Sequence, residues 1–436
     1  MLDIKLIREN SDVVRKAIAL KGADPKLVDN FLELDGGWKR ITGELDDLRH
    51  EQKELSGKEE RDIDAAKGIK EKIKIKETEL TGLEGERLSA WLKIPNLSSD
   101  DTPVGKDEES NKFLRSWGEP RKFSAQGGSA SGGDFEPKDH LELGESLGII
   151  DVKKAAEVSG SRFGYIKGDL ALLEFALIHY GFKVLGDEKI LKKIANKIKS
   201  GYNSKPFIPV IPPVLIKPRI FERMARLEPT EERYYIPSDD LYLIGSAEHT
   251  LGPLHMDETL KEKDLPIRYV GFSTAFRRES GSYGKDVRGI LRVHQFDKLE
   301  IESFTIPEDS ILEQDFIVGI QEYLMQSLEL PYQVIICSTG DQGGPDFRHL
   351  DIETWMPAQN KYRETHSADM MTDYQSRRLN TKVKRESGES QFVHMNDATV
   401  FSGRPLIAIL ENYQTKDGKI EVPKVLQEYV GKKIIG

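Results

Sequence analysis

Charged side chains with the chemistry of a nucleotide site cluster between two strand-like runs in the second half of the chain. Arg277 and Glu279 are two residues apart, so β alternation predicts that they share one face of a strand, and Phe296 on the return run can lie nearby. An arginine fork can hold an α-phosphate, a carboxylate can accept the amine of adenine, and an aromatic ring can stack on the base. A charged β-hairpin with a glycine-rich turn would use the same residues, so the pattern alone leaves both interpretations open.

A second arginine stands at the start of a predicted helix. Gly403 and Arg404 precede the apolar run at 405–410. A guanidinium in this place can contact a triphosphate or the face of a nucleobase. Taken alone, however, the run favours the simpler interpretation, a buried helix that begins with an arginine.

These residues need a β-rich scaffold to hold them. Apolar and β-branched runs predict strands at 207–211, 268–276, 289–302, 332–337 and 350–355. Helical patterns occur at 170–180, 190–199, 310–328 and 405–413. Neighbouring strand-like runs favour an antiparallel sheet flanked by helices, an α+β fold. The sequence has no dinucleotide-type GxGxxG motif, which argues against a Rossmann fold.

Residues ~26–93 show the heptad spacing of a coiled coil. The first seam follows an alternating 4-3 spacing through Leu34, Trp38, Ile41, Leu45, Leu48, Gln52 and Leu55. A second run on that spacing contains Ile69, Ile73, Leu80 and Leu83. Lys76 and Arg87 interrupt the second seam, and Ser56-Gly57 ends the first. The sequence therefore predicts an N-terminal antiparallel hairpin of two long helices.

Composition excludes several classes of protein. The 436 residues carry a net charge of −10, which excludes a generally basic nucleic-acid binder, although lysine and arginine on one face could still attract a nucleic acid. The single cysteine, Cys337, excludes a disulfide framework and a cysteine-based metal site within one chain. No apolar run reaches the ~18 residues of a membrane helix, and MLDIKLIREN lacks the apolar segment of a secretory signal. We therefore expect a cytoplasmic protein with no membrane partner.

The order of the motifs resembles the seryl-tRNA synthetases of bacterial type, which are class II aminoacyl-tRNA synthetases. The resemblance covers nearly the whole chain, and its segments include DLYLIGSAE, FRRESGSYGKDVRG, HQFDKLE, WMPAQNKYRET and GRPLIAILENYQ. It implies an antiparallel class II catalytic sheet and an ATP-dependent attachment of L-serine to serine tRNA through a seryl-adenylate. It also implies Mg²⁺ as the cofactor, and it leaves open whether selenocysteine tRNA is charged with serine as well.

The resemblance also implies the site residues. The catalytic residues are then Arg277 and Arg404. The implied ATP site consists of Arg277, Glu279, Val293, Phe296, Glu364, Thr365, His366, Ser367 and Arg404. The implied serine site consists of Ser246, Ala247, Glu248, Arg277, Glu300 and Thr399, and the implied Mg²⁺ ligands are Glu364 and Ser367. No side-chain nucleophile is required, because catalysis would rest on positioning and charge stabilisation.

Three segments depart from the family's usual pattern. Residues 224–235 read MARLEPTEERYY where a Gly-Thr-Gly-Gln-Leu-Pro-like loop is usual. The run after Glu364 is Thr-His-Ser-Ala-Asp-Met-Met, where Ser-Ser-Cys-Ser-Asn is more usual. Counting back from Arg404 places Ala398 at the position of a serine-binding hydroxyl, whereas a local insertion and deletion would place Thr399 there. We predict that Thr399 fills this position.

The resemblance implies a division of the chain by function. A tRNA-binding domain is expected at 1–105 with its coiled-coil arm at about 26–93, a linker at 106–135 that includes a glycine-rich run, and a class II catalytic domain at 136–436. The arm would grip the long variable arm of serine tRNA, the loop at 282–288 would reach the tRNA acceptor end, and the segment 206–213 would support a homodimer.

Two alternatives remain. One is a paralogue that adenylates an amino acid and charges a carrier protein, against which the intact arm argues. The other is an inactive homologue that acts as a binding protein, against which the retained charged residues argue.

Overall fold

The computed structural model describes residues 1–56, 63–123, 133–280 and 288–436. Most of the glycine-rich run at 127–133 and of the loop at 282–288 lies outside these residues. The chain forms two compact units, Met1–Ser98 and Ser99–Gly436. The predicted division of the chain by function stays a prediction. Within its expected linker, Lys112–Trp117 forms an edge strand of the sheet in the second unit.

The N-terminal unit is helical. Its elements are α1 (Ile4–Glu9), α2 (Ser11–Leu20), α3 (Lys26–Ser56) and α4 (Ile63–Leu92). The Asp24 carboxylate accepts a hydrogen bond of 2.9 Å from the Lys26 amide and so caps the first turn of α3.

Helices α3 and α4 pack along the predicted seam. Its core consists of Ile41, Leu45, Ile69 and Ile73, flanked by Leu48, Leu55, Leu80 and Leu83. The two cations that interrupt the second run pair with carboxylates on α3: Arg87 lies 2.8 Å from Asp35, and Lys76 lies 2.8 Å from Glu44. The residue numbers of these paired positions change in opposite directions along α3 and α4. The hairpin is therefore antiparallel, as predicted.

The second unit contains ten α-helices and eighteen strands among its described residues. The helices are α5 (His140–Ser146), α6 (Val152–Ser159), α7 (Asp169–Gly186), α8 (Glu188–Ile198), α9 (Pro218–Arg223), α10 (Glu248–Leu251), α11 (Ser310–Ser327), α12 (Tyr374–Leu379), α13 (Gly403–Asn412) and α14 (Gln427–Val430). The strands are β1 (Lys112–Trp117), β2 (Ile150–Asp151), β3 (Tyr165–Ile166), β4 (Ile208–Val210), β5 (Leu215–Ile216), β6 (Tyr235–Ile236), β7 (Leu241–Leu243), β8 (Thr259–Lys261), β9 (Ile267–Phe276), β10 (Gln295–Thr305), β11 (Tyr332–Ile336), β12 (Arg348–Met356), β13 (Lys361–Thr372), β14 (Lys382–Lys384), β15 (Ser390–Phe392), β16 (His394–Phe401), β17 (Ile420–Glu421) and β18 (Ile434–Ile435).

An eight-stranded sheet forms the centre of this unit. Its strand order is β1-β11-β12-β13-β16-β10-β9-β4, and every pair is antiparallel except β4 with β9. Helices α7, α11 and α13 pack on one face, where alternate residues such as Leu299, Ile301 and Ala398 join the hydrophobic core. Polar residues such as Glu300 and Thr399 point to the other face. The α+β class and the antiparallel sheet are thereby confirmed.

Two central strands of this sheet were not predicted, namely β13 and β16. The strand expected at 289–302 begins only at Gln295 and continues to Thr305. Among the described residues, no helix is both long and apolar enough to cross a bilayer.

Candidate active site

The polar face of the sheet opens into two adjoining cavities. The first has a volume of about 230 Å³ and is lined mainly by polar and charged residues, among them Arg277, Glu279, Val293, Phe296, Lys298, Glu364, Thr365, Ser367, Thr399 and Arg404. The second, of about 390 Å³, shares four residues with the first and adds Arg226, Glu232, Arg233, Glu248 and His249. Among the predicted site residues, four line neither cavity: Ser246, Ala247, Glu300 and His366.

The first arginine of the cavities follows β9. The prediction that Arg277 and Glu279 share a face of one strand is wrong, because β9 ends at Phe276 and Glu279 adopts a left-handed backbone conformation with φ of 51°. The turn nevertheless brings both side chains to the cavity. The Arg277 Nε donates to the Gly245 carbonyl at 3.1 Å, and its guanidinium carbon lies 5.4 Å from the centroid of the Phe296 ring. A cation and an aromatic face therefore stand side by side.

A second guanidinium reaches the cavity from the start of α13. Arg404 Nη1 lies 2.8 Å from Glu364 Oε2 and donates to the Glu364 carbonyl at 3.1 Å. Partial burial opposes ionisation of Glu364, but the charge and hydrogen bond of Arg404, together with the charges of His349 and Arg277, outweigh it and lower the pKa of this carboxyl to about 2. With Arg277, this arrangement can receive a polyanion such as a triphosphate.

A β-bulge in β13 decides which of its side chains face the cavity. In the pairing with β12, Thr365 is the extra residue between Glu364 and His366. Glu364, Thr365 and Ser367 therefore line the cavity, whereas His366 packs inward with its ring centroid 6.1 Å from that of Phe401. Burial lowers the pKa of His366 to about 4 and keeps the ring neutral. The structure thus separates His366 from the other residues expected to bind ATP.

A buried lysine and glutamate form the floor beside Thr399. Lys298 Nζ lies 2.6 Å from Glu300 Oε2 and 3.2 Å from Ser246 Oγ. Burial raises the pKa of Glu300 to about 7, and Lys298 opposes this effect. Thr399 pairs with Glu300 across the β10–β16 ladder and lines the cavity, whereas Ala398 lies in the hydrophobic core on the other face. Thr399 is therefore the neighbour of Glu300 that presents a hydroxyl to the cavity.

A carboxylate and an arginine dominate the second cavity. Glu248 stands at the start of α10, is only 6% exposed, and lies 2.9 Å from Arg226 Nε through its Oε1 atom. Burial alone would raise the pKa of Glu248, but its neighbours, among which the charge of Arg226 contributes most, together outweigh burial and lower the pKa to about 2. Ala247, the preceding residue, is fully buried. Glu248 can therefore offer a negative charge to a cationic group.

Comparison with known proteins identifies the family. Residues 1–98 match the family described as the seryl-tRNA synthetase N-terminal domain, and residues 232–413 match the tRNA synthetase class II core domain (G, H, P, S and T). The serine–tRNA ligase of Dictyoglomus turgidum is 40% identical, over 99% of this chain and 98% of that protein. The chain belongs to the seryl-tRNA synthetase family.

Solved structures agree with this assignment to the seryl-tRNA synthetase family. A seryl-tRNA synthetase from Pyrococcus horikoshii complexed with ATP superposes with a TM-score of 0.89 at 37% identity, over 100% of this chain and 99% of that one. A cytoplasmic serine–tRNA ligase from Naegleria fowleri in complex with AMP gives a TM-score of 0.85 at 32% identity, over 100% and 98% of the two chains. The predicted family and the class II fold are confirmed, and the chain is an ATP-dependent class II aminoacyl-tRNA synthetase.

The sequence interpretation missed five charged residues of the cavities, namely Arg226, Glu232, Arg233, Arg292 and Lys298. Lys298 lies two residues before Glu300, so the alternation that places one on the polar face could have identified the other. Arg292 Nε lies 3.5 Å from Glu279 Oε2 and belongs to the charged run between the two strands. Arg226 lies in a segment that departs from the seryl-tRNA synthetase pattern, so no family motif points to it.

The donor set at Glu364 and Ser367 fits the divalent cation that the seryl-tRNA synthetase family implies. Both residues offer oxygen atoms to the first cavity, and the Glu364 side chain is ionised and 47% exposed. Mg²⁺ prefers oxygen ligands and keeps several waters, so two protein ligands are sufficient.

Proposed function

We propose that this chain attaches L-serine to serine tRNA in two steps. In the first, the serine carboxylate attacks the α-phosphorus of ATP, forms seryl-adenylate and releases pyrophosphate. In the second, a hydroxyl of the tRNA 3′-terminal ribose attacks the activated carbonyl carbon and releases AMP. The observation that supports this proposal most is the convergence of Arg277, Arg404 and Phe296 on one cavity, beside the second cavity with the Glu248 carboxylate.

The first cavity is the proposed ATP site. Arg277 would hold the α-phosphate, where negative charge develops in the in-line displacement, and Glu279 would accept the adenine amine. The base would stack on Phe296, with Arg404 on its other face. Glu364 and Ser367 would hold Mg²⁺, which supplies positive charge to the phosphates when bound. Val293 and Thr365 also line this cavity, so they would contact the nucleotide, whereas His366 would act only through the core.

The serine site is proposed at the junction of the two cavities. Glu248 would receive the ammonium group, and Ser246 would keep Lys298 in place through the 3.2 Å hydrogen bond. Glu300 and Thr399 would bind the side-chain hydroxyl. A buried site of this kind rejects alanine, because its polar groups would be left without partners.

Pyrophosphate exchange tests this function directly. We expect exchange of label between pyrophosphate and ATP to depend on serine, with discrimination over alanine on the order of 10⁴. Glycine, alanine and threonine are the comparison substrates, and transfer to serine tRNA is measured separately. Exchange without transfer to any tRNA would favour the carrier-protein paralogue, and no exchange with any amino acid would favour an inactive homologue. Preference for another amino acid would contradict serine as the substrate.

Replacement of Thr399 by alanine tests the pocket that would bind serine. We expect Thr399→Ala to lower kcat/KM for serine in the exchange assay by about 10- to 100-fold and to narrow the preference for serine over alanine. Ser402→Ala is the matched control, because Ser402 lines the same cavity but lies beyond the residues that pair with Glu300. Equal and small effects of the two substitutions would show that Thr399 does not contact the serine hydroxyl.

The N-terminal unit is the proposed tRNA-binding part. Its hairpin, α3 and α4, would grip the long variable arm of serine tRNA by shape and backbone contacts, and α4 exposes Lys67, Lys70, Lys72 and Lys74. Membership of the family further supports a homodimer that uses the region of β4, and a cytoplasmic location. The same site would also serve for charging selenocysteine tRNA with serine.

A further inference from the structure

The three segments in which this chain departs from the usual family pattern meet at one arginine. Arg226 comes from the segment 224–235, Asp369 from the run after Glu364, and Asp397 from the run before Arg404. Arg226 Nη2 lies 3.2 Å from Asp397 Oδ2 and 3.8 Å from Asp369 Oδ2. The departures are therefore parts of one ion cluster and do not act as independent changes.

This cluster is buried and includes a further carboxylate. The Arg226 side chain is 15% exposed, and its Nη1 lies 3.5 Å from Asp346 Oδ1. Asp346, Asp369 and Asp397 are themselves buried. Removing one partner from a buried ion cluster leaves an uncompensated charge, which costs far more than the cluster contributes when complete. Asp369 also lies 2.7 Å from His349 Nδ1, so Asp369 has two basic partners, whereas Asp397 pairs with Arg226.

The same arginine contacts the carboxylate that would bind the serine ammonium. Its Nε atom lies 2.9 Å from Glu248 Oε1, and oxygens of Glu248, Glu300 and Asp397 all lie within 4.8 Å of one another. Lys298 lies 2.6 Å from Glu300, and Arg226 brings a second positive charge to this group, beside Glu248 and Asp397. The guanidinium presents several N–H groups in a rigid plane, so one side chain can span Glu248, Asp397 and Asp369.

Backbone geometry directs Arg226 into this position. Ala225 adopts a left-handed conformation with φ of 57°, which turns the chain immediately after α9. The Arg226 carbonyl accepts a hydrogen bond of 3.0 Å from Arg233 Nε. Glu248 has a second neighbour in His249, whose Nε2 lies 3.5 Å from Glu248 Oε1 while its Nδ1 accepts from the Gly245 amide at 3.1 Å. Arg226 and His249 therefore both lie next to the same carboxylate oxygen, Oε1.

We propose that Arg226, together with Asp369 and Asp397, is a positioning set that fixes the Glu248 carboxylate as the receptor for the serine ammonium. This inference rests on the proposed function of the same site. Arg226 acts on serine through Glu248 and touches none of the reacting atoms. Its loss should weaken serine binding while the phosphate contacts of Arg277 and Arg404 remain, so KM for serine should change much more than kcat.

The experiment compares a variant that lacks only the Arg226 charge with a variant that lacks the charges of Arg226, Asp369 and Asp397. Arg226→Gln removes the cation that Glu248 and Asp397 share, while Asp369 keeps its contact of 2.7 Å with His349 Nδ1. We expect this variant to raise KM for serine in pyrophosphate exchange by about 10- to 100-fold, with kcat and KM for ATP within about threefold of the parent. The triple variant Arg226→Gln/Asp369→Asn/Asp397→Asn removes the opposing charges with nearly the same side-chain shapes. We expect its KM for serine to return to within about fivefold of the parent.

Arg223→Gln is the matched control, because Arg223 at the end of α9 pairs with Asp257 at 3.1 Å and lines neither cavity. It should alter thermal stability without altering KM for serine. An unchanged KM in folded Arg226→Gln, or a triple variant as impaired as the single one, would overturn the proposal. If Arg226→Gln does not fold, Arg226→Lys replaces it: this variant keeps the charge but lacks the planar fork, and an unchanged KM would be equally decisive against the proposal.

The inference and the proposed function fail in different ways. The parent protein alone tests the function, through the amino acid on which its exchange depends. If that amino acid is not serine, the function fails, and KM for the preferred amino acid becomes the readout for the Arg226 variants.

Discussion

Replacing Arg277 with alanine is expected to lower serine-dependent pyrophosphate exchange by about 10²–10³-fold while the chain stays folded. Arg277 lies at the boundary of the two cavities, where the α-phosphate and the serine carboxylate would meet. A fixed cation at this point stabilises charge that develops only in the transition state, so its removal should lower kcat more than it raises KM for either substrate. In the fold, the side chain makes one hydrogen bond of 3.1 Å to the Gly245 carbonyl, so the loss of stability should be small.

The neighbouring arginine provides the matched control for this substitution. Arg278 is exposed, its guanidinium lies 5.6 Å from the centroid of the Tyr234 ring, and it lines neither cavity. Arg278→Ala removes the same side chain one position away and should leave exchange close to that of the parent. Near-normal exchange by folded Arg277→Ala, or an equal loss in both variants, would contradict the role of Arg277.

Elements with regular apolar spacing could be predicted from the sequence. The seam of α3 and α4 follows heptads, and β9, β11 and β12 each contain an apolar run that marks them as strands. The two central strands that were missed, β13 and β16, contribute residues to the site. β13 begins with Lys-Tyr-Arg-Glu-Thr-His-Ser and β16 with His-Met-Asn-Asp, because one face of each strand is polar and lines the cavities. Polar side chains that line the cavities interrupt the apolar runs by which a strand is recognised in a sequence.

Register at the site could not be derived from alternation either. A bulge at Thr365 changes which residues of β13 face the cavity, and a shift between Leu299 and Glu300 sets the partners of β16. After that shift, Glu300 pairs with Thr399. The Thr399 hydroxyl therefore occupies the position that counting back from Arg404 assigns to Ala398. Bulges depend on contacts between strands distant in sequence, so a single strand's sequence does not disclose them.

The cluster around Arg226 could not be predicted from the sequence either, because its members are far apart in the chain. Its partners Asp346, Asp369 and Asp397 lie far along the chain from position 226. In the sequence, each departure from the family pattern looked like a separate change in the rim of the site. Only the fold shows that the three departures meet around one guanidinium.

Shortening the helical hairpin is expected to abolish most tRNA charging while serine activation remains. The structure allows a shorter cut than removal of the whole arm: residues 43–79 are deleted, and Thr42 is joined to Leu80 by a glycine turn. This deletion keeps the Asp35–Arg87 ion pair at the base of the hairpin. It also removes seam residues from α3 and α4 together, so neither helix loses its partner alone. All residues of both cavities lie in the unit Ser99–Gly436, so pyrophosphate exchange should stay within about threefold of the parent.

Charging of serine tRNA should fall by at least about 100-fold in the shortened protein, because an arm that grips the nucleic acid binds several phosphates.

A variant with the hairpin intact separates the contribution of charge from that of shape. Alanine at Lys67, Lys70, Lys72 and Lys74 should weaken tRNA binding and reduce its salt dependence. The slope of log K against log salt concentration should fall by about one for each phosphate that the protein no longer neutralises. Exchange and thermal unfolding serve as controls for folding in both variants. Normal charging by the shortened, folded protein would show that the hairpin does not bind tRNA, and an unchanged salt dependence in the lysine variant would assign the recognition to other residues of the arm.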